Sequence, residues 1–158
     1  MKGTTHIIGG LAAAAITTHT FNVPVQEPII FYTAALFGSV IPDICHPKSM
    51  VGRMIPIISI SLGRIFGHRT ITHSLLFVLV TMWLLSLVTF QNAADIQTGL
   101  VAGIISHIIL DAMTPRGVKL LYPIQTSFRF PFSSQTGSVI GETAVCLVLL
   151  GVVVMMYI

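Results

Sequence analysis

Long apolar stretches joined by short connections constrain this chain more than any other feature of its sequence. The strongest of them extends from about Thr72 to Phe90 and contains no Asp, Glu, Lys or Arg. Because a hydrocarbon core of about 30 Å takes roughly 20 apolar residues of helix, such a stretch predicts a membrane span. Hydrophobic residues make up 54% of the chain and charged residues only 8%, which excludes an ordinary soluble domain.

Four other apolar stretches predict further helices, at about 5–18, 28–44, 95–113 and 139–158. The first is short for a bilayer and is compatible with a re-entrant helix. Since 158 residues leave no room for a separate soluble part, we predict that residues 1–158 form a single membrane-embedded domain. The expected fold is an all-α integral membrane protein, a compact bundle of about five transmembrane or re-entrant helices.

Two connections have a character of their own. The segment near 50–66 mixes Arg53 and Arg64 with apolar residues and is interrupted by Pro56, which favours an interfacial position on the bilayer surface. The polar connection near 114–138 exceeds the roughly 12–15 residues beyond which a structureless loop is uncommon unless it is functional or disordered. Its alternating TSFRFPF sequence is compatible with a short hairpin or with an extended loop.

Histidines and carboxylates gather on one predicted side of the membrane. If consecutive spans alternate in direction, one set of them falls on the side of the N-terminus: His6, Asp43, His46, His68, His73, His107, Asp111 and Glu142. All lysines and arginines fall there too, whereas the opposite connections near Asn22 and Asn92 contain none. By the positive-inside tendency this side is cytoplasmic, so the connection at 114–138 is predicted to be a cytoplasmic loop.

Several ionisable groups at one depth of a membrane predict a compensating cation, because each costs about 2.5–3.5 kcal/mol on insertion scales. Imidazole and carboxylate are zinc ligands. His107 and Asp111 are four residues apart and share a helix face. We predict one or two divalent ions, zinc first and manganese or magnesium as alternatives. The predicted ligands are His6, Asp43, His46, His68, His73, His107 and Asp111.

Three further residues are predicted to take part in catalysis. Glu142, or Asp111 in its place, would act as a general base, and Arg69 and Arg116 would stabilise developing negative charge. For Glu142 the alternative is a charge at the start of a helix, satisfied by the helix dipole. Hydroxyl groups that would orient ligands are those of Thr72, Ser74 and Thr114.

The order of four motifs resembles a known family. They are THxxGG at Thr5–Gly10, PDICHPKS at Pro42–Ser49, GHRTITHS at Gly67–Ser74 and SHIILDAMTPRGVKLLYP at Ser106–Pro123. Together they are similar to the YdjM-type proteins, described as LexA-regulated, membrane-bound metal-dependent hydrolases. The resemblance implies a multi-pass protein of the bacterial inner membrane with metal-dependent hydrolase activity. Many relatives read PDxDH, whereas here Cys45 replaces the second Asp, and a thiolate is also a zinc ligand.

The expected activity is hydrolysis of an ester, foremost a phosphoester, in a membrane lipid or lipid-linked substrate at the cytoplasmic face. No nucleic-acid partner is expected, and the sequence leaves the oligomeric state open. A metal transporter or metal sensor is the alternative, although the third and fifth spans offer few polar groups for a path across the bilayer. A di-metal redox enzyme would require more carboxylates, and a purely structural polar cluster is the remaining interpretation.

Overall fold

The computed structural model describes residues 1–67, 69–131 and 133–158, and its regular elements are helices. They are α1 Gly3–His19, α2 Pro28–Gly38, α3 Met50–Met54, α4 Pro56–Phe66, α5 Leu75–Ser86, α6 Ala93–Ala112 and α7 Val139–Tyr157. Two 3-10 helices lie at Ile41–Cys45 and Ile71–His73. Among the described residues, Pro28–Cys45, α6 and α7 are long and apolar enough to cross a membrane. The predicted all-α membrane class is confirmed.

Helix α5 is shorter than the sequence predicts. Its 12 residues span about 18 Å, well below the roughly 20 residues of a full crossing. The start of the helix explains the difference, because the Ser74 hydroxyl accepts a hydrogen bond from the Phe77 amide (3.2 Å) and caps α5 there. The preceding Ile71–His73 segment forms a 3-10 turn instead of helix. The most apolar predicted span is therefore a short helix that follows a polar turn.

Helix α6 lies at the centre and packs closely against α2. A Cβ atom added at Gly103 would lie 2.6 Å from the Ser39 amide nitrogen, and one added at Gly38 would lie 2.9 Å from the Leu100 Cα. Helices in lipid associate through such small residues, since lipid tails are as apolar as the side chains. The contact brings the C-terminal end of α2 directly beside the last third of α6.

Helix α1 lies against the same pair through its own small residues. A Cβ atom at Gly10 would lie 2.9 Å from the Ala35 carbonyl oxygen of α2, and one at Gly9 would lie 2.8 Å from the Ser106 hydroxyl of α6. Because residues three and four apart share a helix face, His6 faces α6 one turn earlier. Helix α7 packs on the outer side of α1.

The predicted interfacial segment is helical and lies beneath the first 3-10 helix. A Cβ atom at Gly63 of α4 would lie 2.7 Å from the Cys45 carbonyl oxygen. On the outer side of this segment, Met54 is 79% exposed and Ile57 is 81% exposed. Exposed apolar side chains beside Arg53 and Arg64 are typical of a segment that lies in the headgroup region. The segment packs against Ile41–Cys45, and its position at the membrane surface stays a prediction.

The long connection after α6 folds back over the helix ends. Val118 and Phe128 form an antiparallel bridge with N···O distances of 2.9 and 2.8 Å. The Phe130 amide donates to the Ala112 carbonyl (3.0 Å), and the Leu75 amide donates to the Leu120 carbonyl (2.9 Å). These bonds satisfy groups that helix ends leave open. In the described part of TSFRFPF, residues 126–131, Phe128 pairs with Val118, and the last Phe of the motif lies outside the described residues.

The close packing of α2 and α6 predicts that a residue larger than glycine at position 103 is destabilising. Gly103→Ala forces a methyl group against the α2 backbone, and overpacking of this kind lowers stability by roughly 1–3 kcal/mol. We expect a lower thermal unfolding midpoint in detergent, followed by circular dichroism.

Gly151→Ala is the matched control, since a Cβ atom there meets no described heavy atom within 4 Å. Alanine is the better helix former by about 1 kcal/mol, so this variant should unfold no earlier than the parent protein. Equal midpoints for the two variants would contradict the packing described here.

Candidate metal centre

Four side chains from three segments point their ligand atoms at one another. His73 Nε2 and His107 Nε2 are 3.1 Å apart, and Asp43 Oδ1 lies 3.8 and 3.7 Å from them. Asp111 Oδ2 lies 3.4 Å from His73 Nε2 and 3.9 Å from His107 Nε2. All four atoms fall within 4.8 Å of one another. Around a tetrahedral zinc ion, neighbouring ligand atoms are separated by about 3.3–3.4 Å. The arrangement fits a small cation.

Local structure explains how these residues meet. His107 and Asp111 lie one turn apart on the buried face of α6. Asp43 lies in the 3-10 helix that continues α2 beyond Pro42, and His73 ends the 3-10 turn before α5. Two irregular helix ends thus approach the C-terminal part of one regular helix.

A backbone carbonyl sets the tautomer of His107. Its Nδ1 atom lies 2.6 Å from the carbonyl oxygen of Ser39. Because a carbonyl only accepts hydrogen bonds, Nδ1 carries the proton and the neutral ring presents the lone pair of Nε2 to the cluster. Metal-ligating histidines are held in this way by their second nitrogen. The sequence alone does not identify Ser39, because a residue of any type can supply a backbone carbonyl.

His73 is oriented by a hydroxyl group. Its Nδ1 atom lies 3.0 Å from Thr72 Oγ1, and that oxygen lies 3.2 Å from the Cys45 Sγ atom. The contact is the one predicted for Thr72. Cys45 is buried, and this contact leads to His73 through the Thr72 hydroxyl, so residue 45 supports the orientation of His73.

His6 lies at the edge of the four-residue group. Its ring stacks on that of His107 with centroids 3.8 Å apart, and its Nε2 atom is 3.3 Å from Asp111 Oδ1. The side chain is fully buried, and while Nε2 faces Asp111, Nδ1 has no hydrogen-bond partner among the described residues. A buried polar atom without a partner costs about 1–3 kcal/mol. Its position suits a further ligand or a partner of bound water.

Arg69 is held rigidly beside Asp111. Its Nε atom lies 3.0 Å from Asp111 Oδ2, and its Nη1 atom donates to Thr114 Oγ1 (2.6 Å). The Thr114 hydroxyl in turn donates to the Asp111 carbonyl (2.7 Å). Arg69 also has a positive φ of 62°, a conformation that costs a residue other than glycine roughly 1–2 kcal/mol. Strain maintained at a charged residue is characteristic of functional sites.

Glu142 bonds to other parts of the chain. Its carboxylate accepts from the Lys2 amide (3.2 Å), the Thr5 hydroxyl (2.9 Å) and the Gly137 amide (2.6 Å). It therefore ties α1 and the preceding loop to the first turn of α7. Glu142 lies in the first turn of α7, but its partners belong to α1 and to the preceding loop, so both the helix-dipole role and the role as general base stay predictions.

A cavity of about 510 Å³ opens beside the ligand group. Asp43 is 18% exposed at its side chain, so the group is accessible from this cavity. His46 ends the first 3-10 helix and lines the same cavity, as does the exposed Arg116, and His68 lies outside the described residues. The lining consists of Met1, Asp43, His46, Arg69, Asp111, Thr114, Pro115, Arg116, Gln135 and Thr136. A substrate would thus meet two ligand carboxylates and two arginines.

Comparison with known proteins agrees with this arrangement of motifs. Residues 1–158 match the family described as YdjM inner membrane protein. The chain belongs to the YdjM family. It is 41% identical over 138 residues to the uncharacterized protein YvsG of Bacillus subtilis, a match that covers 87% of this chain and 83% of YvsG. It is 37% identical over 132 residues to the inner membrane protein YdjM of Escherichia coli, covering 80% and 67% of the two chains. No solved structure matches.

The ligand group of this YdjM-family protein predicts how bound metal responds to substitution. If the group binds zinc, His107→Ala removes one of its central side chains, and we expect elemental analysis to find less zinc in the purified variant than in the parent protein. His19→Ala is the control, since His19 is exposed at the opposite end of α1 against Tyr157. Zinc retained by His107→Ala at the parental stoichiometry would remove the proposed centre.

The contact between Thr72 and His73 predicts a graded effect. Thr72→Val keeps the shape but removes the hydroxyl that orients His73, and losses of this kind weaken metal binding by about 10–100-fold. Competition with a zinc chelator measures the change. Thr98→Val on α6 is the control, because the Thr98 hydroxyl bonds only locally, to the Ala94 carbonyl (2.7 Å). Equal zinc affinity in the two variants would contradict the orienting role.

Proposed function

We propose that this YdjM-family protein is a metal-dependent hydrolase that cleaves a phosphoester bond of a lipid or lipid-linked substrate. One observation carries the proposal. The atoms His73 Nε2, His107 Nε2, Asp43 Oδ1 and Asp111 Oδ2 converge at a cavity that also presents arginine side chains. Metal ligands beside cations are what phosphoester hydrolysis requires, since both the attacking water and the negative phosphoryl group need stabilisation.

Zinc is the metal that we assign to the group. Two imidazole nitrogens and two carboxylate oxygens within 4.8 Å of one another suit zinc, whereas magnesium prefers six oxygen ligands, with manganese intermediate. A cation bound here would lower the pKa of a water molecule towards 7 and polarise the phosphoryl oxygen. One ion fits the four-residue group, and His6 beside Asp111 Oδ1 leaves room for a second in the proposal.

The surrounding residues divide the remaining work. Arg69 is fixed by Asp111 and Thr114, and it would hold a phosphoryl oxygen without losing much side-chain freedom. Arg116 is exposed at the cavity and can close on the substrate. Asp43 is the partly exposed carboxylate of the group and is best placed to accept a proton from water.

The position of the ligand group supports a lipid substrate. Asp43 belongs to the 3-10 helix on which α4 packs, and α4 presents exposed apolar side chains such as Ile57 and Ile65. A helix of this kind lies at the level of the headgroups. In this proposal the cavity beside Asp43 would lie at the depth of a phosphorylated headgroup. The distribution of lysine and arginine supports the cytoplasmic leaflet.

Metal transport is the alternative, and the helix packing argues against it. A path across the bilayer would continue from His107 along α6 towards Asp95. In that interval the backbones of α2 and α6 approach each other closely, since a Cβ atom at Gly99 would lie 3.2 Å from the Ala35 amide nitrogen. Asp95 itself accepts hydrogen bonds from the Gln26 and Glu27 amides (3.2 and 2.7 Å) at the start of α2.

Hydrolysis of a panel of phosphorylated lipids in detergent tests the proposal. We expect zinc-dependent release of phosphate that a chelator abolishes and added zinc restores. Asp43→Asn should reduce the rate to background. Arg69→Ala should lower kcat by about 10²-fold, the usual cost of one donor to a developing anion.

Arg64→Ala is the matched control for Arg69. Arg64 is an exposed arginine of α4 that is neither in the lining of the cavity nor in the ligand group. Its rate should equal that of the parent. Bound zinc with no hydrolysis of any lipid, together with zinc flux in proteoliposomes, would replace the hydrolase by a transporter.

A further inference from the structure

A second cavity adjoins the one at the ligand group, on the far side of Arg69 and Arg116. Its volume is about 230 Å³, and it is lined by Arg69, Arg116, Gly117, Val118, Lys119 and Ser127. We propose that this second cavity binds a second phosphoryl group of the substrate, so that the substrate is a lipid diphosphate. The inference rests on the proposed hydrolase function and specifies its substrate class, so that the bond cleaved is the phosphoanhydride between the two phosphoryl groups and not the phosphoester of a monophosphate.

The charges that line the second cavity point to an anion. Three of the described residues that line it are cationic, and none of the described lining residues is an Asp or Glu. Of these cations, Arg69 alone forms an ion pair among the described contacts, with Asp111. Arginine binds phosphate in a bidentate manner and lysine acts as a point charge.

The walls of the second cavity are held in place by backbone bonds. The Lys119 amide donates to the Arg69 carbonyl (3.2 Å), and the bridge between Val118 and Phe128 sets Ser127 opposite. Gly117 has a φ of 63°, and a Cβ atom there would lie 3.1 Å from the Phe128 carbonyl carbon. Lys119 Nζ is directed by a hydrogen bond to Gln125 Oε1. The basic side chains are therefore presented from a fixed frame.

Shared walls link the two cavities. Arg69 and Arg116 line both of them, so an anion in the second cavity is a neighbour of the group held at the ligand cluster. A space of about 230 Å³ corresponds to about seven or eight water molecules of liquid, which is room for a hydrated phosphoryl group. A diphosphate provides two adjacent phosphoryl groups that could contact the same two arginines. A monophosphate would leave Lys119 and Ser127 without a substrate contact.

The reaction follows from this placement. The terminal phosphoryl group lies at the ligand cluster, and the phosphoryl group attached to the lipid lies against Arg116 and Lys119. Water attacks the terminal phosphorus, a new P–O bond forms, and the bond from that phosphorus to the bridging oxygen breaks. The bridging oxygen keeps the electron pair and stays on the lipid monophosphate. The proton lost by water passes through Asp43 to solvent, and inorganic phosphate leaves.

Matched substrates test the proposal. Zinc-loaded protein in detergent micelles is assayed with one long-chain lipid as its monophosphate and as its diphosphate. We expect kcat/KM to be at least about tenfold higher for the diphosphate, because a second charged group gains hydrogen bonds to cations. Lys119→Ala should remove most of that preference, and Lys119→Arg should restore it. Lys48→Ala, an exposed lysine outside both cavities, should leave both rates unchanged.

A binding measurement covers the case in which no lipid is hydrolysed. Inorganic pyrophosphate should bind the zinc-loaded protein about tenfold more tightly than inorganic phosphate by calorimetry, and Lys119→Ala should reduce the difference. Zinc content measured after each titration excludes extraction of the metal by pyrophosphate.

The outcomes separate the two proposals. Hydrolysis of both lipids at equal kcat/KM, unchanged in Lys119→Ala, overturns the diphosphate inference and leaves the hydrolase in place. Hydrolysis of neither lipid rejects the proposed function, while pyrophosphate binding that depends on Lys119 still supports the second cavity. Equal affinity for phosphate and pyrophosphate in the parent protein overturns the second cavity as a phosphoryl site.

Discussion

The close packing of α6 against α2 is the interaction on which the candidate metal centre depends. Glycines at the contact allow the two backbones to approach, and the approach places the Ser39 carbonyl 2.6 Å from His107 Nδ1. That one hydrogen bond fixes which nitrogen of His107 faces the carboxylates. Side-chain packing of ordinary width would hold the same residues too far apart. The packing of the two helices and the geometry of the candidate metal centre are therefore coupled through the Ser39 carbonyl oxygen.

Two of the four residues of the ligand group lie where regular α-helix stops. Asp43 and His73 both lie in 3-10 turns, and Arg69 adopts a left-handed backbone conformation between them. Irregular backbone is tolerated near a membrane only where protein or a polar cavity satisfies its open groups. Here the cavity and the loop after α6 do so, through bonds such as that from the Phe130 amide to the Ala112 carbonyl. The apolar helices supply the rigid frame around these turns.

Sequence patterns predicted the parts of the site that depend on periodicity. The spacing of His107 and Asp111 placed both on one face of α6, and alternation of the spans brought Asp43 and His73 to the same side. What the patterns missed depends on tertiary contacts. Three features depend on how a loop folds over helix ends. They are the start of α5 after Ser74, the partners of Glu142, and the wall of the second cavity formed by Lys119 and Ser127. Hydropathy reports burial in lipid but not such contacts.

Cys45 contributes to the candidate metal centre through a neighbouring hydroxyl group. Its sulfur lies 3.2 Å from Thr72 Oγ1, and that oxygen lies 3.0 Å from His73 Nδ1. Residue 45 therefore acts on the orientation of His73 through Thr72, as the residues around a metal-ligating histidine do. Among the described residues, the four converging ligand atoms come from Asp43, His73, His107 and Asp111. Cys45 thus supports one member of the group without belonging to it, and the hydroxyl of Thr72 connects the two.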